Sequence, residues 1–139
     1  MTTTSVDVFV EDHGALLEAG RAYFTRTRGT VSTTFLYEPD YLAAGGRNID
    51  PILSRTVGAQ HVPGMLPAFS DCAPDRWGRN LLLKAERGAA LDQGRRPRDL
   101  DDVDFLLGVS DEARQGALRF RLTGQEQFAS PYGTVPTMI

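Results

Sequence analysis

Residues 6–15, Val6-Asp7-Val8-Phe9-Val10-Glu11-Asp12-His13-Gly14-Ala15, carry a period of two and then a turn. Three valines alternate with Asp7, Phe9 and Glu11, the spacing of a strand whose successive side chains point to opposite faces of a sheet. Asp12-His13-Gly14 supplies turn residues, and Gly14 reaches positive φ at little steric cost. Ala15 to Arg26, with Leu16, Tyr23 and Phe24, reads as a returning strand, bulged near Gly20. Thr27-Arg28-Gly29 is a second tight turn. Thr30 to Tyr37, rich in β-branched and aromatic residues, is a third strand. The N-terminal third is therefore an antiparallel meander.

Pro39 ends this strand, and Asp40-Tyr41-Leu42 suits a short helical turn before Gly45-Gly46. From Asn48 to Pro74 four prolines and two glycines indicate an irregular connection, with Ile52, Leu53, Met65, Leu66 and Phe69 directed to the core. The strongest helix spans about Asp75 to Gln93. Ser70 or Asp71 can cap it, Pro74 suits its first turn, and Gly94 suits the position just past its end. At 100° per residue Trp77, Leu81, Leu82, Ala85 and Ala89 share one face, and Arg76, Arg79, Asn80 and Arg87 the other. Leu83 falls among the arginines, where an apolar residue has no obvious core role. Trp77 goes with the core face, although a tryptophan also serves as an interface anchor. Asp99 caps a second helix with Asp102 as its acidic partner, Val103, Leu106 and Leu107 face inward, and Gly108 closes it. Gly116 to Leu122 alternates as a final strand. The fold expected is α+β: a small antiparallel sheet with helices Asp75–Gln93 and Asp99–Leu107 packed on one face. Residues 1–122 read as one domain, and 123–139 as an irregular tail.

The composition sets limits on function. The chain has 139 residues, 41% of them hydrophobic and 24% charged, which suits a globular domain. Its formal net charge is −3. That balance argues against a domain built mainly to grip nucleic acid. No apolar run approaches the ~20 residues of a membrane-spanning helix. Cys72 is the only cysteine, so no internal disulfide forms, and the N-terminus has neither the basic start nor the apolar core of a signal peptide. The chain reads as cytoplasmic and bacterial in style. Lys84 is the only lysine, every other basic residue apart from the histidines being arginine.

Motifs that carry chemistry are scarce. His13, His61 and Cys72 are widely separated and lack the regular spacing of metal ligands, and Cys72 with His61 has no third group to orient it as a nucleophile pair. No glycine-rich loop precedes Lys-Ser or Lys-Thr, and Gly45-Gly46 reads as a turn. Lys84 is mid-helix and poorly placed for a phosphate. The four carboxylates between Asp99 and Asp104 are explained by capping and a solvated face rather than by acid–base chemistry. Arg95, Arg96 and Arg98 form a short basic loop, enough for only weak and salt-sensitive phosphate binding. No cofactor is expected.

Three stretches carry a resemblance. Phe69-Ser70-Asp71-Cys72-Ala73-Pro74-Asp75-Arg76-Trp77-Gly78-Arg79 is one. Asp104-Phe105-Leu106-Leu107-Gly108-Val109-Ser110-Asp111-Glu112-Ala113-Arg114-Gln115-Gly116-Ala117-Leu118-Arg119-Phe120 is the second, and Phe35-Leu36-Tyr37-Glu38-Pro39-Asp40-Tyr41-Leu42 the third. Together with the leading strands they resemble the N-terminal subdomain 1 of HipA-type serine/threonine kinases, the toxin halves of bacterial HipBA toxin–antitoxin modules. The resemblance spans about residues 6–122 and departs at Cys72, where related sequences often have a small hydroxyl residue. It implies an accessory piece that packs on a kinase body and helps assemble it with a DNA-binding HipB-like antitoxin. The family's ATP-binding loop, catalytic Asp and phosphorylated Ser lie downstream of this subdomain, so none maps onto a residue here. The expectation is a non-enzyme whose partners are a HipA-like kinase body and/or a HipB-like antitoxin, with neither nucleic acid nor membrane bound directly. The alternative is an inert, truncated remnant of a full-length kinase, the tail being a linker toward an absent kinase body. Candidate interface residues are Arg76, Trp77, Arg79, Leu83, Arg87, Arg95, Arg96 and Arg98.

Overall fold

The structure, a computed structural model, describes residues 2–74, 76–108 and 117–124. Three long strands lead: β1 (Thr2–Asp12), β2 (Ala15–Thr27) and β3 (Thr30–Tyr37). Helix α1 (Pro39–Ala43), strand β4 (Gln60–Pro63) and the single turn α2 (Pro67–Ser70) follow. Helices α3 (Arg76–Asp92) and α4 (Asp102–Gly108) precede strand β5 (Leu118–Leu122). The sheet order is β4-β3-β2-β1-β5 with every neighbouring pair antiparallel, an α+β architecture. Among the described residues no helix is long and apolar enough to cross a membrane.

Local chemistry explains the meander. Asp12 pairs with Ala15 and Thr27 with Thr30, which leaves two-residue loops. His13 and Gly14 sit at φ 48° and 79°, and Arg28 and Gly29 at φ 50° and 82°. Positive φ at both positions makes type I′ turns, whose twist matches that of the flanking strands. The bulge expected near Gly20 is present. Val8 faces Gly20 while Phe9 faces Glu18, so Ala19 is the additional residue. At Gly20 an added Cβ would lie 2.2 Å from the Leu36 carbonyl oxygen and 2.6 Å from the Phe35 ring, so only glycine lets β2 and β3 pair here.

The core face of the sheet carries Val6, Val8, Val10, Ala22, Phe24, Phe35, Tyr37, Leu118 and Phe120. Phe69 of α2 seals its centre, edge-on to Phe24, Phe35 and Phe120 at centroid distances of 6.0, 6.3 and 5.1 Å. Val103, Leu106 and Leu107 of α4 cover the rest. On the opposite face the buried Asp7 carboxylate accepts from Arg21 and Arg121 at 3.1 and 3.2 Å.

The connection expected to be irregular contains β4 and α2, each too short to leave a periodic signal. A buried carboxylate orders it. Asp50 is 2% exposed and accepts from the Ile52 and Ala68 N–H groups at 2.9 and 2.7 Å, thereby capping α2 from outside the helix. Tyr37 Oη donates to Asn48 Oδ1 and accepts from the Ile49 N–H. Tyr41 Oη donates to the Arg47 carbonyl at 2.8 Å.

Three expectations about the helices are corrected. Ser70 and Asp71 do not cap α3: Ser70 ends α2 and Asp71 is its C-cap. Asp75 lies outside the described residues. Asp99 and Asp102 do not cap α4 either. The reciprocal pair is Asp101 and Asp104, each accepting the other's backbone N–H at 2.9 and 3.0 Å, because Arg26 of β2 anchors Asp101 at 2.5 Å. Finally, α3 does not form part of the layer on the sheet. It packs on α4, with Leu82 against Phe105 in a second, smaller cluster that Leu81 and Leu100 border. At the other end the reading holds. Gly94 at φ 65° donates to the Leu91 carbonyl and Arg95 to that of Ala90, a Schellman closure. The final strand's first residue, Gly116, and the 123–139 tail from residue 125 onward lie outside the described residues, as does the 109–116 part of the second resembling stretch.

Candidate interaction surface

Helix α3 buries Gly78, Leu82, Glu86 and Ala90, a row with a four-residue step, and Leu82 of this row meets Phe105 of α4. Gly108 of α4 lets the two helices approach, since an added Cβ would lie 2.7 Å from Leu82 Cδ2. A four-residue row advances by 40° at each step. The middle of this row therefore sits about 160° around the helix from Trp77, nearly on the opposite side. Trp77, expected to share the core face, is 43% exposed.

Glu86 is the residue the sequence reading missed. A carboxylate in the middle of a helix carries no local signal that it will be buried, yet Glu86 is 1% exposed. Arg95 grips it through both terminal nitrogens, at 2.6 and 3.1 Å, and the Arg98 N–H donates to it at 2.8 Å. Charge-assisted bidentate pairing of this kind offsets the desolvation of a buried carboxylate. The basic run of residues 95–98 is the available clue, because a cation loop after a Schellman turn can fold back along the last two to three turns of the helix.

The eight candidate interface residues accordingly divide. Arg76, Trp77, Leu83 and Arg87 are exposed on the outward side of α3. Arg79, placed there by the periodicity, is half-buried: its guanidinium lies over the Phe105 ring at 4.8 Å and Nε donates to the Pro74 carbonyl at 3.2 Å. Arg95 and Arg98 hold Glu86, and Arg98 also reaches Asp104 at 3.6 Å. Arg96 is exposed on the same loop. Two further members of the outward face emerge, Lys84 and Leu91, the latter 82% exposed. Trp77, Leu83 and Leu91 thus form an apolar row interleaved with Arg76, Lys84 and Arg87. Glu86 is the single acid between Arg76 and Leu91, and it points inward. The face presents apolar surface and positive charge together.

The other candidate groups are held apart. Cys72 faces the core and its Sγ donates to the Ala68 carbonyl at 3.4 Å. His61 is exposed and its Nδ1 lies 2.8 Å from Thr34 Oγ1, on the sheet face opposite to that of its buried neighbour Val62. His13 is at a hairpin tip beside Asp12. Among the described residues no three His, Cys, Asp or Glu side chains are grouped to hold a metal ion. The carboxylates at the start of α4 are engaged in structure. Burial pushes the Asp101 carboxyl up, but the Asp104 N–H and the Arg26 guanidinium outweigh it and hold the group below its ordinary value. Burial, followed by the nearby Asp101 charge, pushes Asp104 up. A cleft of about 540 Å³ opens at the β1–β2 hairpin end, with Val10, Leu17 and Tyr41 in its wall and Glu11, Glu18 and Asp40 around it. It has the opposite charge to the α3 face.

Comparison with protein families, with characterised proteins and with solved structures returns no significant match to this chain.

Proposed function

We propose that this protein is a non-catalytic docking module that packs on a kinase body of the HipA type through the outward face of α3, working in the reducing cytoplasm of a bacterium. One observation carries the reading. Trp77, Leu83 and Leu91 stand 43%, 37% and 82% exposed on a single helix whose opposite face is already packed on α4. A row of large apolar side chains in water marks an interaction surface. Tryptophan is among the residues enriched where such surfaces carry their binding energy. The kinase assignment is supported by the resembling stretches, the first of which, residues 69–79, leads directly into this face. The single buried thiol at Cys72 suits a reducing compartment.

The test is co-elution on size exclusion with a purified HipA-type kinase lacking its own N-terminal subdomain 1, with the kinase's phosphorylation of itself followed in parallel. A shared peak that Trp77→Ala abolishes, with a changed rate of phosphorylation, supports the reading. Separate elution with an unchanged rate overturns it.

A further inference from the structure

The α3 face specifies the chemistry of whatever receives it. Trp77 and Leu91 are fourteen residues apart, which is about 21 Å along a helix rising 1.5 Å per residue, and only 40° short of four full turns. They therefore stand at the two ends of one stripe. Lys84 and Arg87 lie between them on the same side, and Arg76 flanks Trp77. The chain as a whole is anionic, with a net charge of −3, so three cations with no outward acid among them constitute a local reversal of sign. Glu86, which could have neutralised the stripe, is turned inward and satisfied by Arg95.

We infer that the partner surface is an acidic groove about 21 Å long, with an apolar pocket at each end for Trp77 and Leu91 and carboxylates in the middle for Lys84 and Arg87. This rests on the docking reading above and adds the recognition chemistry to it. Opposed charge would speed encounter and fix the direction in which the helix lies, while the two apolar anchors would supply the affinity. The geometry favours a protein groove over an anionic bilayer. A helix lying in a membrane interface buries a continuous apolar face, whereas here cations interrupt the exposed stripe and the opposite row, which holds Leu82, is already buried in the fold. The net negative charge also opposes approach to an anionic leaflet.

The experiment titrates the full chain into the same purified kinase body by calorimetry, with KCl raised from about 0.05 M to about 0.5 M, a range over which surface charge is progressively screened. The double variant Lys84→Gln/Arg87→Gln is compared with Arg28→Gln/Arg47→Gln, which removes the same charge from exposed positions outside α3. Unchanged thermal melting shows that the variants fold. The wild type should weaken by about tenfold or more across the range, the α3 variant should be about tenfold weaker at low salt and converge with the wild type at high salt, and the control should stay within about twofold. Equal low-salt affinities for the wild type and the α3 variant would overturn the acidic groove while leaving docking intact. Absence of binding at any salt would overturn the docking reading and the groove with it. Tighter binding to phosphatidylcholine–phosphatidylserine vesicles than to the kinase body would overturn the groove in favour of a lipid surface.

Discussion

Glu86 and Asp101 show how single carboxylates hold this molecule together from positions that look unremarkable in sequence. Glu86 is buried and gripped by Arg95. Glu86→Gln keeps the shape but removes the charge that Arg95 was placed to meet. Urea denaturation should show a loss of about 2–3 kcal/mol, less than for a wholly buried pair because Arg95 is partly exposed. Replacing both partners, as in Glu86→Gln/Arg95→Met, should recover part of that loss, since no unpaired cation then remains. Asp101 has a pH signature. Its carboxyl titrates below the ordinary value in the folded protein, so its contribution is present above the unfolded value near 4 and is lost as the pH falls through the lower folded one. Asp101→Asn should therefore cost about 1–2 kcal/mol near pH 7, and the gap from the wild type should narrow as the pH falls below the unfolded value. Asp104 has the opposite sign. Its raised value means that folding takes up a proton, and stability is lost as the pH rises through the folded value. An effect of Asp101→Asn that does not shrink on acidification would remove the Asp101 assignment.

At the scale of elements, the long strands are legible in the sequence and the helix contacts are not. The β1–β3 meander, its two turns and its bulge follow from Val6-Asp7-Val8-Phe9-Val10, from His13-Gly14 and Arg28-Gly29, and from Gly20, because alternation and positive φ are local properties. Strand β4 and the turn α2 leave no sequence signal because four residues hold no period. They are positioned by remote partners, β3 for one and Asp50 for the other. The buried face of α3 lies about one residue's rotation from the face its hydrophobic pattern marks. The hydrophobic pattern centres on Leu81, Leu82, Ala85 and Ala89, but helix packing selected the row that includes Gly78 and the paired Glu86. That shift is what turned Trp77 outward. The capping pair of α4 moved from Asp99 and Asp102 to Asp101 and Asp104 for a related reason, since Arg26 on a distant strand chose between them. Gly20→Ala provides the test at this scale. With a carbonyl oxygen 2.2 Å from the new Cβ, backbone must move and the β2–β3 pairing must loosen. A loss of at least about 2–3 kcal/mol in chemical denaturation is expected; an unchanged midpoint would show that the strands do not approach as described.

For the molecule as a whole, the sheet, α2 and α4 form one core, and α3 is an outer layer carried on α4. The arrangement leaves α3 with one face committed to the fold and one offered to solvent. Charge is distributed unevenly over the same body: acidic side chains surround the cleft at the β1–β2 hairpin end, and cations line the outward side of α3. Of the candidate surface, Leu83, Arg76 and Arg87 could be read from periodicity alone, whereas Leu91 and Lys84 required the true contact seam to be known.

Trp77 is the sole tryptophan, so its emission reports on this face without interference from the rest of the chain. With 5-hydroxytryptophan incorporated at Trp77, the probe can be excited selectively in the presence of a partner's own tryptophans. The account predicts iodide-accessible emission in the free protein and a saturable loss of that accessibility as a HipA-type kinase body is titrated in. Emission already shielded from iodide in the free protein, or accessibility unchanged at saturating kinase, would contradict it.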